Sequence, residues 1–475
     1  MLHIISLGSH YIMILVVLFY AFLALSSIGF DDNKTMKFKR KLQKTLIILF
    51  QFLSFFTLYL QTKELKIFSI YISLLGLTVF YPLLMNVLYP KRQKFLENHL
   101  LFFYSVGIVI LCRLKENMAL KQFIIGAVGL VLFSFIPALI SKWKTIEYFG
   151  GLYAIAGMVL LSLVFFIGVN LNGASNWIKI GGITLQPSEF VKIMFACCLA
   201  SLLRENTSFV NVFKVAVISG MHVLILVAEK DLGGAFLFFL VFLLTVFIAT
   251  NNYVYFFGGL VGVILIIVVF YQMFSDSFFS HVKVRMLAWK DPFSYIDNEG
   301  YQISQSLFGI GTGGFIGFGL GQGLPNKIPY AETDFVFSSV CEEMGGIIGI
   351  CLILIEISFF FVGLHLAMKM KRKFYKNLAV ALLFSYQIQV MLNIGGVTKF
   401  IPSTGVTLPF ISYGGSSLIS SIILYYFLQG LTLIYHKEVK EYEEEQRRYE
   451  QQKIKEQQEE IFKKERGIQC PRIRG

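Results

Sequence analysis

Charge is scarce in this chain. Only 15% of its 475 residues are Asp, Glu, Lys or Arg, against 56% hydrophobic residues that include 49 Phe. A soluble fold of this length has too little interior to hide that much apolar surface, whereas lipid solvates it. Cysteine is sparse as well. Of the six, Cys112, Cys197, Cys198 and Cys351 lie in apolar runs, Cys341 at a helix start and Cys470 in the tail. Their spacing fits neither a zinc site nor a disulfide framework. None of the seven His lies near another in ligand spacing, so a histidine metal site is not expected. A cleavage site is missing too. The first apolar run ends in the charged stretch Asp31–Lys44, which makes it a retained helix rather than a leader. Gly309, Gly311 and Gly314 spell G-x-G-x-x-G, but no β-strand is expected before them. They are read as turn and packing glycines, not as a dinucleotide fingerprint.

What is present is a succession of apolar runs from Tyr11–Phe30 to Leu418–Tyr435, each near the ~20 residues that cross a bilayer. About 13 spans are predicted on that length, so the fold class is an all-α polytopic membrane protein. Placement of the basic residues orients it. Eighteen Lys and Arg fall in segments 34–44, 91–94, 142–144, 204–214 and 369–376, against eight in the alternate short loops. The positive-inside rule puts the first set in the cytoplasm, with the N-terminus outside and the C-terminus inside. The net charge of +13 is therefore mainly a topology signal. No single face collects it as a nucleic-acid backbone would require.

Two outside loops stand out. Residues 170–188 are polar and contain Gly. Residues 274–344 form a loop far longer than a helix connection needs, and it is rich in Phe, Tyr, Trp and Gly rather than low-complexity polar residues. That composition favours function over disorder. The tail changes register, with Glu and Lys at helical spacing that suggest a solvated helix. It reads as a cytoplasmic extension without a catalytic role, or as a docking helix for a partner.

Ionisable groups at membrane depth are costly unless used or paired. Four outside places hold them. Lys179, Gln186, Ser188, Glu189 and Lys192 form the first, and Glu229-Lys230-Asp231 the second. The long loop supplies Lys283, Arg285, Asp291, Gln302, Gln305, Glu332 and Asp334. Lys399 and the polar run 407–417, with Ser416, complete the set. Topology puts all four on one side, where they can converge on a cleft.

The segments NGASNWIKIGGITLQPSEFVK (172–192), EKDLGGA (229–235), GYQISQSLFGIGTGGFIGFGLGQG (300–323), ETDFVFSSVCEEMGGIIG (332–349) and NIGGVTKFIPSTGVTLPFISYGGSS (393–417) resemble the motifs of the SEDS family of shape, elongation, division and sporulation proteins. The resemblance covers roughly residues 99–435. It implies a peptidoglycan glycosyltransferase that polymerises lipid II outside the cytoplasmic membrane, partnered by a class B penicillin-binding protein transpeptidase. Carried over by motif, the essential acid falls on Asp334 and a basic residue of the large loop on Arg285. Trp177, Glu189 and Lys192 match the first polar loop. With Lys399, Gln305 and Ser416 these form the expected substrate and pyrophosphate set, supported by Glu332, Asp231 and Glu343. The need for a divalent cation such as Mg or Mn stays open. The expected organisation is a three-helix segment over residues 1–95, a polymerase core over 96–436 and a charged tail over 437–475. Two departures are plain: Glu229-Lys230 replaces the usual Gln-Pro, and three N-terminal spans exceed the family's ten.

Structural alternatives exist for the same residues. Asp334 opens a helical run and Asp is a favoured N-cap. Glu342 and Glu343 suit the early turns of that helix, where the macrodipole favours negative charge. Arg285 could pair with Asp291 or Asp297, and Lys192 with Glu189 one turn away. Lipid II flippase and non-catalytic scaffold are the competing functions. A flippase needs polar residues down to the cytoplasmic side of several spans, whereas here they concentrate in the outer loops.

Overall fold

Long apolar runs without water to satisfy their backbone must close their hydrogen bonds internally, and helices do so. The computed structural model describes residues 2–29, 33–171, 174–181, 183–273 and 280–465. Three helices come first, α1 (Leu2–Leu25), α2 (Asn33–Thr62) and α3 (Leu65–Leu88). Then follow α4 (Lys94–Leu114), α5 (Glu116–Leu132), α6 (Ile136–Lys142), α7 (Gly150–Ser162) and α8 (Val164–Ile167). After a small sheet, the chain continues as α9 (Pro187–Leu202), α10 (Phe209–Ala228), α11 (Leu232–Thr250) and α12 (Tyr253–Met273). Three helices, α13 (Ser280–Lys290), α14 (Tyr301–Gly313) and α15 (Val336–Met344), precede the final α16 (Gly346–Lys369), α17 (Lys373–Val397) and α18 (Gly415–Glu465).

Among the described residues, 11 helices are long and apolar enough to cross a membrane, so the chain is a multi-pass membrane protein. The expected count of 13 is not reached. The seventh expected span is α9, only 16 residues long, and the tenth lies in α12, whose described apolar stretch is Tyr253–Leu265. α9 starts at Pro187, which suits the first helical turn because its missing N–H would be unpaired there anyway. It is wrapped by α7, α17 and α18, so its side chains are buried nearly all round and it needs no full lipid-facing length. The span over α5 and α6 changes pitch at Phe133–Phe135, just before Pro137, where the ring cannot continue the ladder.

The polar loop 170–188 is not irregular. Its described residues form an antiparallel meander of β1 (Gly168–Leu171), β2 (Ala174–Ile180) and β3 (Ile183–Leu185), with Val169 opposite Trp177 and Lys179 opposite Thr184. The described part of the long segment, residues 280–344, is likewise built rather than loose. α14 and α15 pack so closely that a Cβ on Gly313 would lie 2.3 Å from the carbonyl oxygen of Cys341. This is the close-packing role expected of the glycines, and Gly309 meets Ile328 in the same interface.

The three N-terminal helices are joined to the rest by buried polar contacts, which hold helices together where lipid offers no hydrophobic drive. The Tyr20 hydroxyl and His99 Nδ1 are 3.0 Å apart, His99 Nε2 and Ser358 Oγ 3.1 Å, and Ser358 donates to the carbonyl of Ala24. Gln51 donates to Thr78 and Ser105. At one end of the bundle α1 and α2 clasp the strip after α14. Gln61 donates to the Leu320 carbonyl at 2.7 Å, and His10 Nε2 lies 2.7 Å from the Ile316 carbonyl.

The basic segments collect at the other end. Asn98 donates to the Arg40 carbonyl, Arg204 to the Glu147 carbonyl, Lys437 to the Ser141 carbonyl, and Arg372 pairs with Glu438. A buried Arg92–Glu97 ion pair at 2.5 Å closes the α3–α4 turn there.

Gly345 has φ +94°, and a Cβ on it would sit 2.2 Å from the carbonyl carbon of Ile316. Gly345→Ala is expected to cost about 1–3 kcal/mol through strain and overpacking. A lowered thermal unfolding midpoint of the detergent-solubilised protein is the readout.

Candidate active site

The end of the bundle that carries the sheet also carries a cleft of about 310 Å³. Its walls come from β2, the start of α9, the α10–α11 turn, α13, the strip before α15, the end of α17 and residues 404–417. Of the residues expected from sequence, Trp177, Glu189, Lys192, Asp231, Arg285, Asp334 and Ser416 line it. With Lys230, segments far apart in sequence thus bring three carboxylates and three cations to one cavity.

Asp334 does not cap a helix. The N-cap of α15 is Phe335 and makes no side-chain cap bond, so the carboxylate is left for the cavity. Its backbone is fixed from behind: Asn393 Nδ2 donates to the Asp334 carbonyl at 2.8 Å and to the Val406 carbonyl at 2.7 Å. One amide on α17 therefore ties the acid to the strip that faces it. Gly405, at φ +70°, fills the gap in that strip. A Cβ on it would lie 3.7 Å from Asp334 Oδ2 and 3.9 Å from Arg285 Nη2, so carboxylate and guanidinium converge on the same glycine. Burial pushes the Asp334 carboxyl up to about 6, opposed by the Arg285 charge and by a hydrogen bond from Thr333. Arg285 Nη1 reaches the Thr404 carbonyl at 3.5 Å. Asp291 is bonded instead to the Ser294 hydroxyl and N–H, and among the described residues Arg285 makes no ion pair.

The floor is a polar network inside an apolar bundle. Glu189 and Lys192 form a buried pair one helical turn apart. Lys192 also donates to Gln389 Oε1 at 2.7 Å, and Ser420 donates to Glu189 at 2.8 Å. Gln389 Nε2 reaches the Thr407 carbonyl at 3.1 Å. The Lys192 charge is thus largely answered by Glu189. Asp231 caps α11 through the Gly234 N–H at 2.8 Å and accepts from Ser188 and Gln186. Ser416, at the start of α18, accepts from the Gln186 N–H at 3.1 Å.

The departure at Glu229-Lys230 separates into two environments. Glu229 turns inward, where burial first and Asp231 second push its carboxyl up to about 8. Lys230 adopts φ +64° and lines the cleft, adding a cation to the wall.

Four expected site residues lie elsewhere. Lys399 is at the far end of α13, where its carbonyl accepts from Trp289 at 3.1 Å. Gln305 lines a separate hollow beside Phe308 and Lys327. Glu332 pairs with Lys115 at 2.5 Å, and Glu343 with Arg113 at 2.9 Å. Glu343 also accepts from the Gly321 N–H and Glu342 from the Leu324 N–H, so both acids hold a loop. Arg113 and its neighbours push in the opposite direction to burial, which still raises the Glu343 carboxyl. These polar side chains share a segment with the cleft residues but point another way. The side chain of Lys283 lies outside the described residues.

Gln389 and Asn393 were not anticipated. These two amides of α17 lie four residues apart on one face within its mainly apolar second half and cost energy unless used, which was the available signal. As for a metal, no group of three or more His, Cys, Asp or Glu that could hold an ion occurs among the described residues. The acids of the cleft are each engaged separately, and the carboxylate at position 334 faces a guanidinium. This donor set does not by itself fit a divalent cation.

The raised Asp334 value has a measurable consequence. The acid ionises near 3.8 when unperturbed and near 6 in the fold, so the folded state holds the proton longer and loses stability as pH rises through that window. Asp334→Asn is expected to stabilise the protein by up to about 2–3 kcal/mol above pH ~6 and to leave stability unchanged below pH ~4. Unfolding midpoints of both forms across that range test the sign.

Comparison with known proteins follows the same architecture. The family model described as "Cell cycle protein", covering FtsW, RodA and SpoVE, matches residues 94–436. Peptidoglycan glycosyltransferase RodA of Mycobacterium tuberculosis is 34% identical over 356 residues, covering 67% of this chain and 73% of the relative. Stage V sporulation protein E of Bacillus subtilis is 32% identical over 311 residues, covering 63% and 82%. Among solved structures, a chain of a peptidoglycan synthase complex that coordinates polymerization and crosslinking aligns with TM-score 0.61 at 23% identity, covering 73% of this chain and 98% of that one. Thermus thermophilus RodA aligns with TM-score 0.53 at 22% identity, covering 72% and 96%.

Proposed function

The chain belongs to the FtsW, RodA and SpoVE family, and from that membership we propose that it is a peptidoglycan glycosyltransferase polymerising lipid II, with Asp334 as its general base. The observation that carries the reading is one partly buried carboxylate, lifted to about 6, beside an unpaired guanidinium in a cleft at the end of a membrane bundle.

Polymerisation joins the 4-hydroxyl of one lipid-linked sugar to the anomeric carbon of another. As the new C–O bond forms, the bond to the leaving undecaprenyl pyrophosphate breaks. Asp334 accepts the hydroxyl proton, a contribution typically worth about 10²–10⁴-fold. Its raised value suits this work near neutral pH, where it is ionised yet more basic than an ordinary aspartate. The pyrophosphate departs with both electrons of the broken bond, and Arg285 and Lys230 meet the growing negative charge. Trp177 offers a flat apolar face for a sugar ring, and Ser416 and Gln186 supply hydrogen-bonding groups beside it. Glu189 and Lys192 hold the floor rigid instead of carrying substrate charge.

The basic segments gathered at the opposite end of the bundle support a cytoplasmic-membrane orientation in which the cleft faces outward, the N-terminus lies outside and the C-terminus inside. The substrate's polyprenyl tail then stays in the bilayer while its sugars enter the cleft. The domain reading is a membrane segment over residues 1–95, a polymerase core over 96–436 and a cytoplasmic tail over 437–475. The likeness to a chain from a complex that also crosslinks supports a class B penicillin-binding protein as partner. Shape, division and sporulation relatives share the same motifs, so the cellular role is one of these three.

Purified Asp334→Asn is expected to lose glycan-strand formation from lipid II by at least about 10²-fold while still binding its partner, and Arg285→Ala to lose less. Wild-type activity should rise with pH through about 6 as Asp334 ionises. Normal polymer yield from the Asn variant overturns the assignment.

A further inference from the structure

A second and larger cavity, of about 780 Å³, opens at the same end of the bundle between the α2–α3 turn and the α4–α5 turn. About a third of its wall comes from α2 and α3. Lys66, Arg113, Lys115 and Lys121 line it against a single acid, Glu116. Arg113 and Lys115 are tied to Glu343 and Glu332, whereas Lys66 and Lys121 make no ion pair among the described residues. Tyr413 lines both this cavity and the cleft that holds Asp334, so the two spaces are neighbours.

The surface below the cationic rim is apolar. Ile124, Val128 and Val131 follow Lys121 at helical spacing along α5 and are 51%, 57% and 59% exposed. They form one lipid-facing stripe leading down from the lysine. A cation above such a stripe suits a ligand with an anionic head and a long hydrocarbon tail. Volume points the same way. Joining two lipid-linked sugars requires two pyrophosphates at the enzyme together, and the Asp334 cleft of about 310 Å³ lies at the low end of the ~300–1,000 Å³ range for one small-molecule ligand.

We propose that the cavity between the α2–α3 and α4–α5 turns, rimmed by Lys66 and Lys121, binds the pyrophosphate of a second polyprenyl-linked substrate while the first occupies the Asp334 cleft. This assignment rests on the polymerase reading for the identity of its ligand. It gives α2 and α3 a role in substrate binding: they supply the wall that turns the outer side of α4 and α5 into a pocket.

The test measures binding of undecaprenyl pyrophosphate, which carries no sugar and so is not turned over, to the full-length chain in nanodiscs. The expected stoichiometry is two per protein. Adding Lys66→Glu and Lys121→Glu, both at exposed side chains, should reduce it to one, and the milder Lys66→Ala and Lys121→Ala pair should weaken the second step about tenfold. Phosphatidylglycerol in the disc should not displace the second lipid. An unchanged stoichiometry in both double variants overturns the proposal, as does equal displacement by phosphatidylglycerol, which would mark a general acidic-lipid site. Glycan synthesis by the wild type separates the two readings. Synthesis with a single bound lipid sinks the second site alone. No synthesis, with a second lipid still lost in the Glu variants, sinks the polymerase reading alone.

Discussion

The double hydrogen bond from Asn393 to the carbonyls of Asp334 and Val406 is the contact on which the cleft depends. It crosses from a bundle helix to two irregular strips that have no ladder of their own. Irregular backbone at membrane level survives only where protein or water satisfies its polar groups. With that amide in place, the strip 404–407 faces the acid, Gly405 admits the guanidinium, and the carboxylate is neither capped nor paired. Acid and cation are near enough to influence each other and far enough apart that neither neutralises the other.

The same economy governs the polar floor. Glu189 and Lys192 place opposite charges in an apolar bundle at considerable desolvation cost, and Gln389 and Ser420 saturate what the pair leaves unmet. Breaking such a pair by removing one partner leaves a buried charge, so the network fixes the relative placement of α9, α17 and α18. Glu229 shows the alternative outcome. Both of its carboxylate oxygens are buried without a hydrogen-bond partner, and the group holds its proton up to about pH 8.

Helical periods and long apolar runs made the bundle legible from sequence, because lipid permits few other backbones. The 16-residue α9 shows where length arithmetic stops: a helix enclosed by its neighbours need not match the bilayer alone. The meander β1–β3 was not legible, since its alternation is confined to runs of about three residues, Val169-Asn170-Leu171, Ile178-Lys179-Ile180 and Ile183-Thr184-Leu185, separated by polar, Gly-containing stretches. At the cleft, motif resemblance located Asp334, Arg285, Trp177, Glu189, Lys192, Asp231 and Ser416, which the fold brings to one cavity. Lys399, Gln305, Glu332 and Glu343 come from the same motifs but turn outward or into loop-holding pairs. Sequence reports proximity along the chain, whereas side-chain direction follows from turns such as the positive φ at Lys230 and Lys399. Gln389 and Asn393 carry no charge and lie within a predicted span, so only their shared face on α17 marked them.

α18 runs unbroken for 51 residues from Gly415 to Glu465, roughly 76 Å at about 1.5 Å per residue. Ser416 and Ser417 at its head line the cavity, while its far half projects beyond the bundle as an exposed, charged rod. Between them lies no proline or linker at which torque could dissipate. A protein gripping the distal rod and twisting it would turn the serines against the sheet and the cleft floor, so a partner bound at one end of the bundle has a mechanical handle on the cleft at the other.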